Sequence, residues 1–333
     1  MKQILLAIGI VIALLLPPRA HADVGAVIDG HILPGHAGFA AATGDLATAA
    51  ARDCTPDALR PTYQAAFDAW MGVSHLRLGP VEEEGRALAI AFWPDTRGLV
   101  PRTLGRLIAA QDPVVTDPAG FAEVSVAGRG LFALERLLFD PDFAGYGPGD
   151  YTCALTRAIA TDLARMAARI DTEWRDGFAD TLRNAGAPGN PVYHGEKEGA
   201  QALFTALVTG LEFTADQRLD RPLGTFDRPR PNRAEARRAG RPLRNITLSL
   251  TALRDLAMHL ANDDAPQTAA AFDRALETAA ALDDPLLAGV ADPQGRLRVE
   301  ILQQHVRAAR DAARAEIGPR LGVSAGFNAL DGD

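Results

Sequence analysis

The chain has 333 residues, with 34 basic and 42 acidic side chains and a formal net charge of −8 at pH 7. This length is enough for one large domain or two medium ones, each able to bury its own hydrophobic core. The negative balance argues against nucleic acid or an anionic lipid surface as the main partner.

The first 22 residues have the order of a secretory signal peptide. Met1-Lys2 supplies a positive charge, residues 4–16 form an apolar run that Pro17-Pro18 ends, and Ala20-His21-Ala22 is an A-x-A cleavage site. A membrane anchor is the alternative, but a span needs about 20 apolar residues and this run is shorter. We therefore expect cleavage before Asp23, a periplasmic protein and no membrane span after cleavage.

Helical periodicity dominates the sequence after His36. No run of β-branched residues with a period of two occurs, and no hairpin turn is flanked by strands. The sequence therefore predicts an all-α fold of packed helices. The predicted helices cover residues 56–76, 129–139, 151–184, 196–219, 243–261, 266–282 and 294–321.

Three segments interrupt this pattern. Residues 79–98 contain Gly79-Pro80 and Trp93-Pro94-Asp95 and are predicted to form a long ordered loop. Residues 140–149, rich in Gly, Pro and Asp, are the preferred boundary between two helical-bundle halves, residues 23–145 and 146–333. Residues 221–242 hold four prolines and seven arginines. They form either an anion-binding surface or, as we favour, a crossover whose arginines pair with nearby carboxylates.

The chain has two cysteines, Cys54 and Cys153. In an oxidising compartment an even pair is expected to form a disulfide, which here would close a long loop. A metal site built from two isolated cysteines, without C-x-x-C spacing, is the less favoured alternative.

Motifs of several enzyme classes are missing from the sequence. It has no H-E-x-x-H, no G-x-S-x-G, no Walker loop and no convincing dinucleotide-binding glycine pattern. Asp255 and His259, at i and i+4, could share a cation, but a surface pair is favoured because nothing nearby completes a ligand set. Asp331 and Asp333 at the C-terminus could also attract a cation, although a solvated acidic tail is favoured.

Candidate ligand-binding residues occur first in the loop that follows Phe92. Trp93, Asp95 and Arg97 place an aromatic ring, a carboxylate and a guanidinium in non-helical backbone, which is a usual place for a site. The alternative is structural, with Asp95 capping the next helix and Trp93 filling the core. We leave the two interpretations open.

Ser125 and Glu135 are the candidates in a second string. Glu135 lies inside an apolar helical stretch, and a carboxylate there is expected to be paired or ligating because burying an unpaired charge is costly. A salt bridge to an arginine is the favoured structural alternative. If Glu135 ligates instead, Glu135 and Asp95 are the predicted contacts for a metal ion, and Ser125 is a hydrogen-bonding neighbour.

At these strings the chain resembles the imelysin family. The similar pieces are GPVEEE at 79–84, FWPDTRG at 92–98, SVAGRGLFALERLLF at 125–139 and RAEARRAGRPLRN at 233–245, with GFNALDGD at 326–333. The likeness covers essentially the whole mature chain, with one imelysin-like domain over residues 36–325. It implies two bundle-like halves, a periplasmic or surface location and a role in iron acquisition.

Some members of this family are metallopeptidases with a G-x-H-x-x-E motif, which falls here on residues 130–135. Gly130 and Glu135 match, but Phe132 occupies the histidine position. A phenylalanine can neither ligate a metal nor relay a proton, and a zinc peptidase needs three protein ligands and an open position. The resemblance therefore favours a subgroup without that histidine and without peptidase activity.

The leading hypothesis is a non-enzymatic binding or accessory component of an iron-uptake system. Its site would lie where the two halves meet, and its ligand would be a metal ion, iron by implication, or a small molecule. One alternative is a metallopeptidase that recruits His36 or His75. Another is a scaffold that docks to a membrane-bound transporter and exposes a large apolar patch.

Overall fold

The computed structural model describes residues 23–323. The predicted signal peptide and the acidic C-terminal residues, Asp331 and Asp333 among them, lie outside this range. Residues 23–323 fold into helices and contain no β-strand, which confirms the predicted all-α class. The longer helices are α1 (Leu33–Arg52), α2 (Pro56–Val73), α3 (Leu99–Ala110), α4 (Gly130–Phe139), α5 (Tyr151–Glu173), α6 (Glu198–Phe213), α7 (Pro242–Ala261), α8 (Pro266–Ala281) and α9 (Pro293–Leu321).

The helices pack as two bundles. In the first, α1 packs against α2 and α5, and α4 packs against α2 and α5. In the second, α8 lies between α7 and α9, and α6 packs against both α7 and α9. Contacts between α2 and α7 join the bundles. The predicted division at residues 145/146 stays a prediction, and α5, which follows it, belongs to the first bundle by its packing.

In helix α2, the apolar residues that the sequence places on one face are buried together. Leu59, Tyr63, Phe67 and Trp70 follow one another at intervals of three or four residues, and all four are buried. Pro56 occupies the first turn, where the missing N–H costs no intrahelical hydrogen bond. Every helix in residues 23–323 is too short or too polar to span a lipid bilayer.

The helix predictions differ from the structure mainly at helix ends and interruptions. The predicted helix 151–184 consists of α5, a π-helical turn at Trp174–Phe178 and a short helix at Ala179–Arg183. The predicted loop 79–98 is not wholly irregular, because Arg86–Ile90 is helical. The buried Arg86 guanidinium donates to the carbonyl of Pro80 and to Glu173, which holds this segment against α5.

Cys54 and Cys153 form a disulfide, as the sequence predicts, with their Cα atoms 5.3 Å apart. The bond joins the segment after α1 to the first turn of α5 and closes a loop of 99 residues. It therefore reinforces the α1–α5 packing of the first bundle.

Candidate functional site

A cleft of about 330 Å³ opens between the first bundle and the segment that leads into α7. We call residues 221–242 the crossover, because they connect the end of the short helix Asp220–Leu223 to α7. One wall of the cleft is the Phe92–Thr96 loop with the start of α3, a second is α4, and the third is the crossover. The cleft thus lies where the two bundles meet.

Three of the five predicted ligand-binding residues line this cleft, namely Trp93, Asp95 and Glu135. Arg97 and Ser125 do not, and both are exposed. Arg97 is only two residues after Asp95. Its backbone carbonyl accepts a hydrogen bond from the Arg102 side chain in the first turn of α3. The sequence strings therefore identified the cleft but not its full lining.

Both carboxylates in the cleft bind backbone N–H groups. Asp95 accepts hydrogen bonds from Leu99 N at 2.8 Å and Val100 N at 2.9 Å, so it caps the start of α3. Glu135 accepts a hydrogen bond from Arg238 N at 2.8 Å. The salt bridge expected for Glu135 is replaced by this backbone contact. The carboxylates position two walls of the cleft.

Burial is the largest influence on the pKa of the Glu135 carboxyl group. It raises the pKa of the carboxyl group, against the lowering effect of the Arg238 charge and of backbone N–H groups of Arg238 and Ala239. Residues Arg237–Ala239 form a short 3₁₀ turn that begins at Ala236, whose φ is +46°. A left-handed alanine is unfavourable by roughly 1–2 kcal/mol, so the fold holds this turn against its local preference.

The crossover is fixed to the bundles by paired arginines. Arg238 donates to Asp140 at 2.7 Å, and the fully buried Arg241 donates to Asp68 at 2.6 Å. Glu235, on the inner side, accepts from Arg218 at 2.8 Å. These pairs agree with the interpretation of residues 221–242 as a crossover stabilised by ion pairs.

Other arginines of the crossover face the cleft without such partners. Within residues 23–323, Arg221 Nε and Arg237 Nε are buried and have no hydrogen-bond acceptor. Arg221 lies over the ring of Trp93 at 5.7 Å, and burial, followed by the charge of Arg233, lowers its pKa. The cleft is lined by two carboxylates and by five arginines: Arg136, Arg221, Arg233, Arg237 and Arg238. Arg136 and Arg238 pair with Asp140, so the anion-binding alternative fits Arg221, Arg233 and Arg237.

Phe132 forms part of the apolar side of the cleft. Its ring contacts Phe67 edge-on at 5.6 Å and lies parallel to Trp93 at 6.4 Å. Phe132 and Trp93 also line a second pocket of about 70 Å³, called the inner cavity below, whose lining extends to the exposed Arg77. The two rings separate the cleft from the inner cavity.

The sequence analysis named His36 and His75 only as histidines that a metal site could recruit, and it did not predict the buried cluster that they form with His31. His36 is stacked on Trp174, and His75 lines the inner cavity and faces His31 with Nε2 atoms 2.9 Å apart. None of these histidines lines the cleft. His31 lies in the turn before α1, His36 in α1 and His75 after α2. Because they are far apart along the chain, no sequence motif indicated that they come together.

A metal centre of the peptidase type needs three protein ligands. Residues 23–323 contain no group of three or more His, Cys, Asp or Glu side chains arranged to hold a metal ion. With Phe132 on α4 and both cleft carboxylates bound to backbone N–H groups, these residues do not fit such a centre. We therefore assign no catalytic step to a metal.

The stability of the protein should decrease below pH 6.5 because of His36. Burial, followed by the charge of His31, lowers the pKa of His36 from 6.5 to about 3. Between these values the unfolded chain binds a proton that the folded chain excludes. The contribution of His36 to the free energy of unfolding should be constant above pH 6.5 and fall by about 1.4 kcal/mol per pH unit below it.

The measurement is urea unfolding of wild type and His36→Phe between pH 7.5 and 5.5. The phenylalanine ring keeps the stacking on Trp174, and neither ring nitrogen of His36 has a partner to lose. Between pH 7.5 and 5.5, the free energy of unfolding of His36→Phe should therefore fall by about 1.4 kcal/mol less than that of wild type. His194→Gln, at an exposed position, is the control and should keep the wild-type pH dependence. An unchanged slope in His36→Phe would contradict the prediction.

The fold and the cleft define the class as an all-helical, two-bundle protein with an arginine-rich cleft at the bundle junction. The family model described as Imelysin (Peptidase_M75) matches residues 32–313, so the chain belongs to the imelysin family. The chain is 23% identical over 286 residues to Iron-regulated protein A of Synechococcus elongatus, covering 79% of this chain and 74% of that protein.

Two crystal structures share the fold. One is an imelysin-like protein from Psychrobacter arcticum, with a TM-score of 0.71 and 20% identity over 91% of this chain and 96% of the other. The second, described as an iron-regulated protein A precursor from Parabacteroides distasonis, has a TM-score of 0.73 and 9% identity, covering 89% and 94%. At these identities the likeness concerns the fold alone.

Proposed function

We propose that this protein is a non-enzymatic periplasmic binding protein whose ligand is a small carboxylate-bearing chelate of iron. The observation that carries the proposal is the pair of buried Nε–H donors of Arg221 and Arg237, which lack acceptors within residues 23–323 and line the cleft. A buried donor without an acceptor costs roughly 1–3 kcal/mol, and a ligand carboxylate would remove that cost once the two side chains turn their Nε–H groups toward the cleft. Arginine is also the side chain best suited to planar carboxylates.

The surroundings of the two donors favour an anion over a bare cation. Five arginines and two carboxylates line the cleft, and Asp95 and Glu135 already accept backbone hydrogen bonds. A polycarboxylate complex of ferric iron carries negative charge and offers oxygen atoms to the arginines. A direct metal contact from Glu135 and Asp95 stays a prediction. In this proposal the iron arrives inside the chelate.

Iron enters the proposal through the relatives. The relative from Synechococcus elongatus is named Iron-regulated protein A, and membership of the imelysin family supports a related role. The signal peptide expected at residues 1–22 supports a periplasmic location. The size of the cleft, about 330 Å³, lies at the lower end of the range for small-molecule sites.

The test is isothermal titration calorimetry with ferric citrate and with citrate alone. Arg221→Gln and Arg237→Gln should each weaken binding of ferric citrate roughly 10- to 100-fold, because a hydrogen bond to a charged group contributes about 1.5–3 kcal/mol. Arg228→Gln is the matched control, since Arg228 is an exposed arginine of the same crossover outside the cleft. It should bind like wild type.

An equal loss in Arg228→Gln would mean that only the overall charge matters, which contradicts a specific cleft. Absence of binding of either ligand at millimolar concentration would favour the alternative of a scaffold that docks to a membrane transporter. Chelator-sensitive cleavage of a protein substrate by wild type would instead support the metallopeptidase alternative.

A further inference from the structure

A hydrogen-bonded chain of side chains connects the protein surface to the inner cavity. Asp255 on α7 is half-exposed, and its Oδ2 lies 2.6 Å from Nδ1 of the buried His31. His31 Nε2 in turn lies 2.9 Å from Nε2 of His75. His75 lines the inner cavity, and its Nδ1 is buried with no hydrogen-bond partner within residues 23–323.

We propose that Asp255, His31 and His75 form a proton-uptake site in which one added proton reverses the donor and acceptor roles of the two ring nitrogens of His75. Without an added proton, His31 Nδ1–H donates to Asp255 and His75 Nε2–H donates to His31 Nε2. His75 Nδ1 is then an acceptor. This arrangement is the one neutral state that satisfies both hydrogen bonds, because a neutral imidazole has one donor and one acceptor.

Uptake of one proton changes both histidines while charging only one. The added proton is bound by His75 Nδ1, His75 passes its Nε2 proton to His31, and His31 becomes an imidazolium beside the Asp255 carboxylate. His75 is neutral before and after, but its Nδ1 has changed from an acceptor to a donor. The proton count balances with no other reactant.

The charge settles on His31 because the surroundings of the two rings differ. His31 has a carboxylate at 2.6 Å, whereas His75 is enclosed with Arg218 lining the same cavity. Burial is the main cause that lowers the pKa of His75, and the charges of His31, His36 and Arg218 add to it. The hydrogen bond from His31 is the main cause that lowers the pKa of Asp255.

Most neighbouring charged groups are engaged elsewhere, whereas His259 shares the Asp255 carboxylate. Arg218 pairs with Glu235, which also lines the inner cavity, and Arg254 pairs with Asp273. His259 Nδ1 lies 2.9 Å from the backbone carbonyl of Asp255 and 3.6 Å from its Oδ1. On the segment that carries His31, Asp29 pairs with Arg183, and His36 on α1 is kept neutral by burial. Asp255 is therefore the counterion of the pair.

The reversal takes place beside the inner cavity. Thr209 also lines it, and the Thr209 hydroxyl is buried without a partner, like His75 Nδ1. Trp93 and Phe132 separate it from the cleft by one layer of side chains. The change from acceptor to donor at His75 Nδ1 therefore takes place in a buried position next to the inner cavity.

The experiment is a pH titration of ¹⁵N-labelled protein in which the imidazole nitrogens are followed by NMR, without any ligand. His75 Nδ1 should become protonated with the same midpoint at which His31 gains its second proton, while His75 Nε2 loses its own. Asp255→Asn should lower that midpoint by about one pH unit or more. Asp273→Asn, another carboxylate facing α7, is the control and should leave it unchanged.

Two results would overturn the proposal. In one, the two rings do not share the proton as proposed. Either His75 Nδ1 stays unprotonated while His31 titrates, or His75 itself becomes an imidazolium. In the other, Asp255→Asn leaves the midpoint of His31 at the wild-type value although circular dichroism shows the variant to be folded. Because no ligand is added, neither result depends on the function proposed for the cleft.

Discussion

Gly130→Ala should lower the free energy of unfolding by about 2–5 kcal/mol. Gly130 is the first residue of α4 and has a φ of +67°, where an L-amino acid loses roughly 1–2 kcal/mol. An added Cβ would also lie 2.1 Å from the carbonyl oxygen of Ala89 and 2.3 Å from that of Ile90. Both neighbours are backbone atoms, so relief requires movement of the chain, which typically costs 1–3 kcal/mol more.

Two glycine controls separate the cost of the left-handed backbone from the cost of the close approach to Ala89 and Ile90. All variants are measured by denaturant unfolding. Gly98 has a φ of +64° but no atom within 4 Å of an added Cβ, so Gly98→Ala should show the backbone cost alone. Gly105 lies inside α3 with open space around it, and Gly105→Ala should be neutral or stabilising by up to about 1 kcal/mol. A Gly130→Ala variant no less stable than Gly98→Ala would show that the close approach to Ala89 is unimportant.

Asp162→Asn should destabilise the protein by about 3–5 kcal/mol. Arg129, the residue before α4, is buried and donates to Asp162 through Nε at 2.8 Å and Nη2 at 3.2 Å. The amide keeps the size of the carboxylate but leaves the guanidinium charge buried without a counterion, and breaking a buried pair in this way is strongly destabilising. Unfolding by urea, followed by circular dichroism, measures the loss.

The exposed partner of the same carboxylate provides the control. Arg165 donates to Asp162 at 2.6 Å, but its side chain is 45% exposed. Arg165→Gln should therefore cost no more than about 1 kcal/mol. Equal losses in Asp162→Asn and Arg165→Gln would mean that burial of Arg129 does not set the energy of this pair. The double variant Arg129→Met with Asp162→Leu should recover part of the loss, because it removes the unpaired charge.

The two predictions explain the Gly of the family motif and the Arg before it in structural terms. Gly130 allows α4 to start against the backbone of residues 89–90, and Arg129 anchors that start to α5. Glu135, one and a half turns later, then reaches the crossover. In this chain the motif residues build the wall of the cleft even though Phe132 replaces the histidine.

Much of the fold follows from the sequence alone. Local periodicity is a property of consecutive residues, so the helices over 56–76, 243–261 and 266–282 were predicted within a few residues of α2, α7 and α8. The even cysteine pair, in a chain expected to be exported, predicted the Cys54–Cys153 bond. The strings around Trp93 and Glu135 indicated the cleft, because polar groups in apolar surroundings need partners.

Tertiary structure alone decided what those partners are. Asp95 and Glu135 read as candidate ligands in sequence, yet the folded chain brings backbone N–H groups to them from α3 and from the crossover. Arg221 and Arg238 belong to one arginine-rich segment, but of these two only Arg238 meets a carboxylate in the part of the chain that the structure describes. His31 and His75 are 44 residues apart and meet because α1 and α2 pack together. Which groups are paired, and which donors stay without an acceptor within residues 23–323, depends on distances across the fold that no local pattern contains.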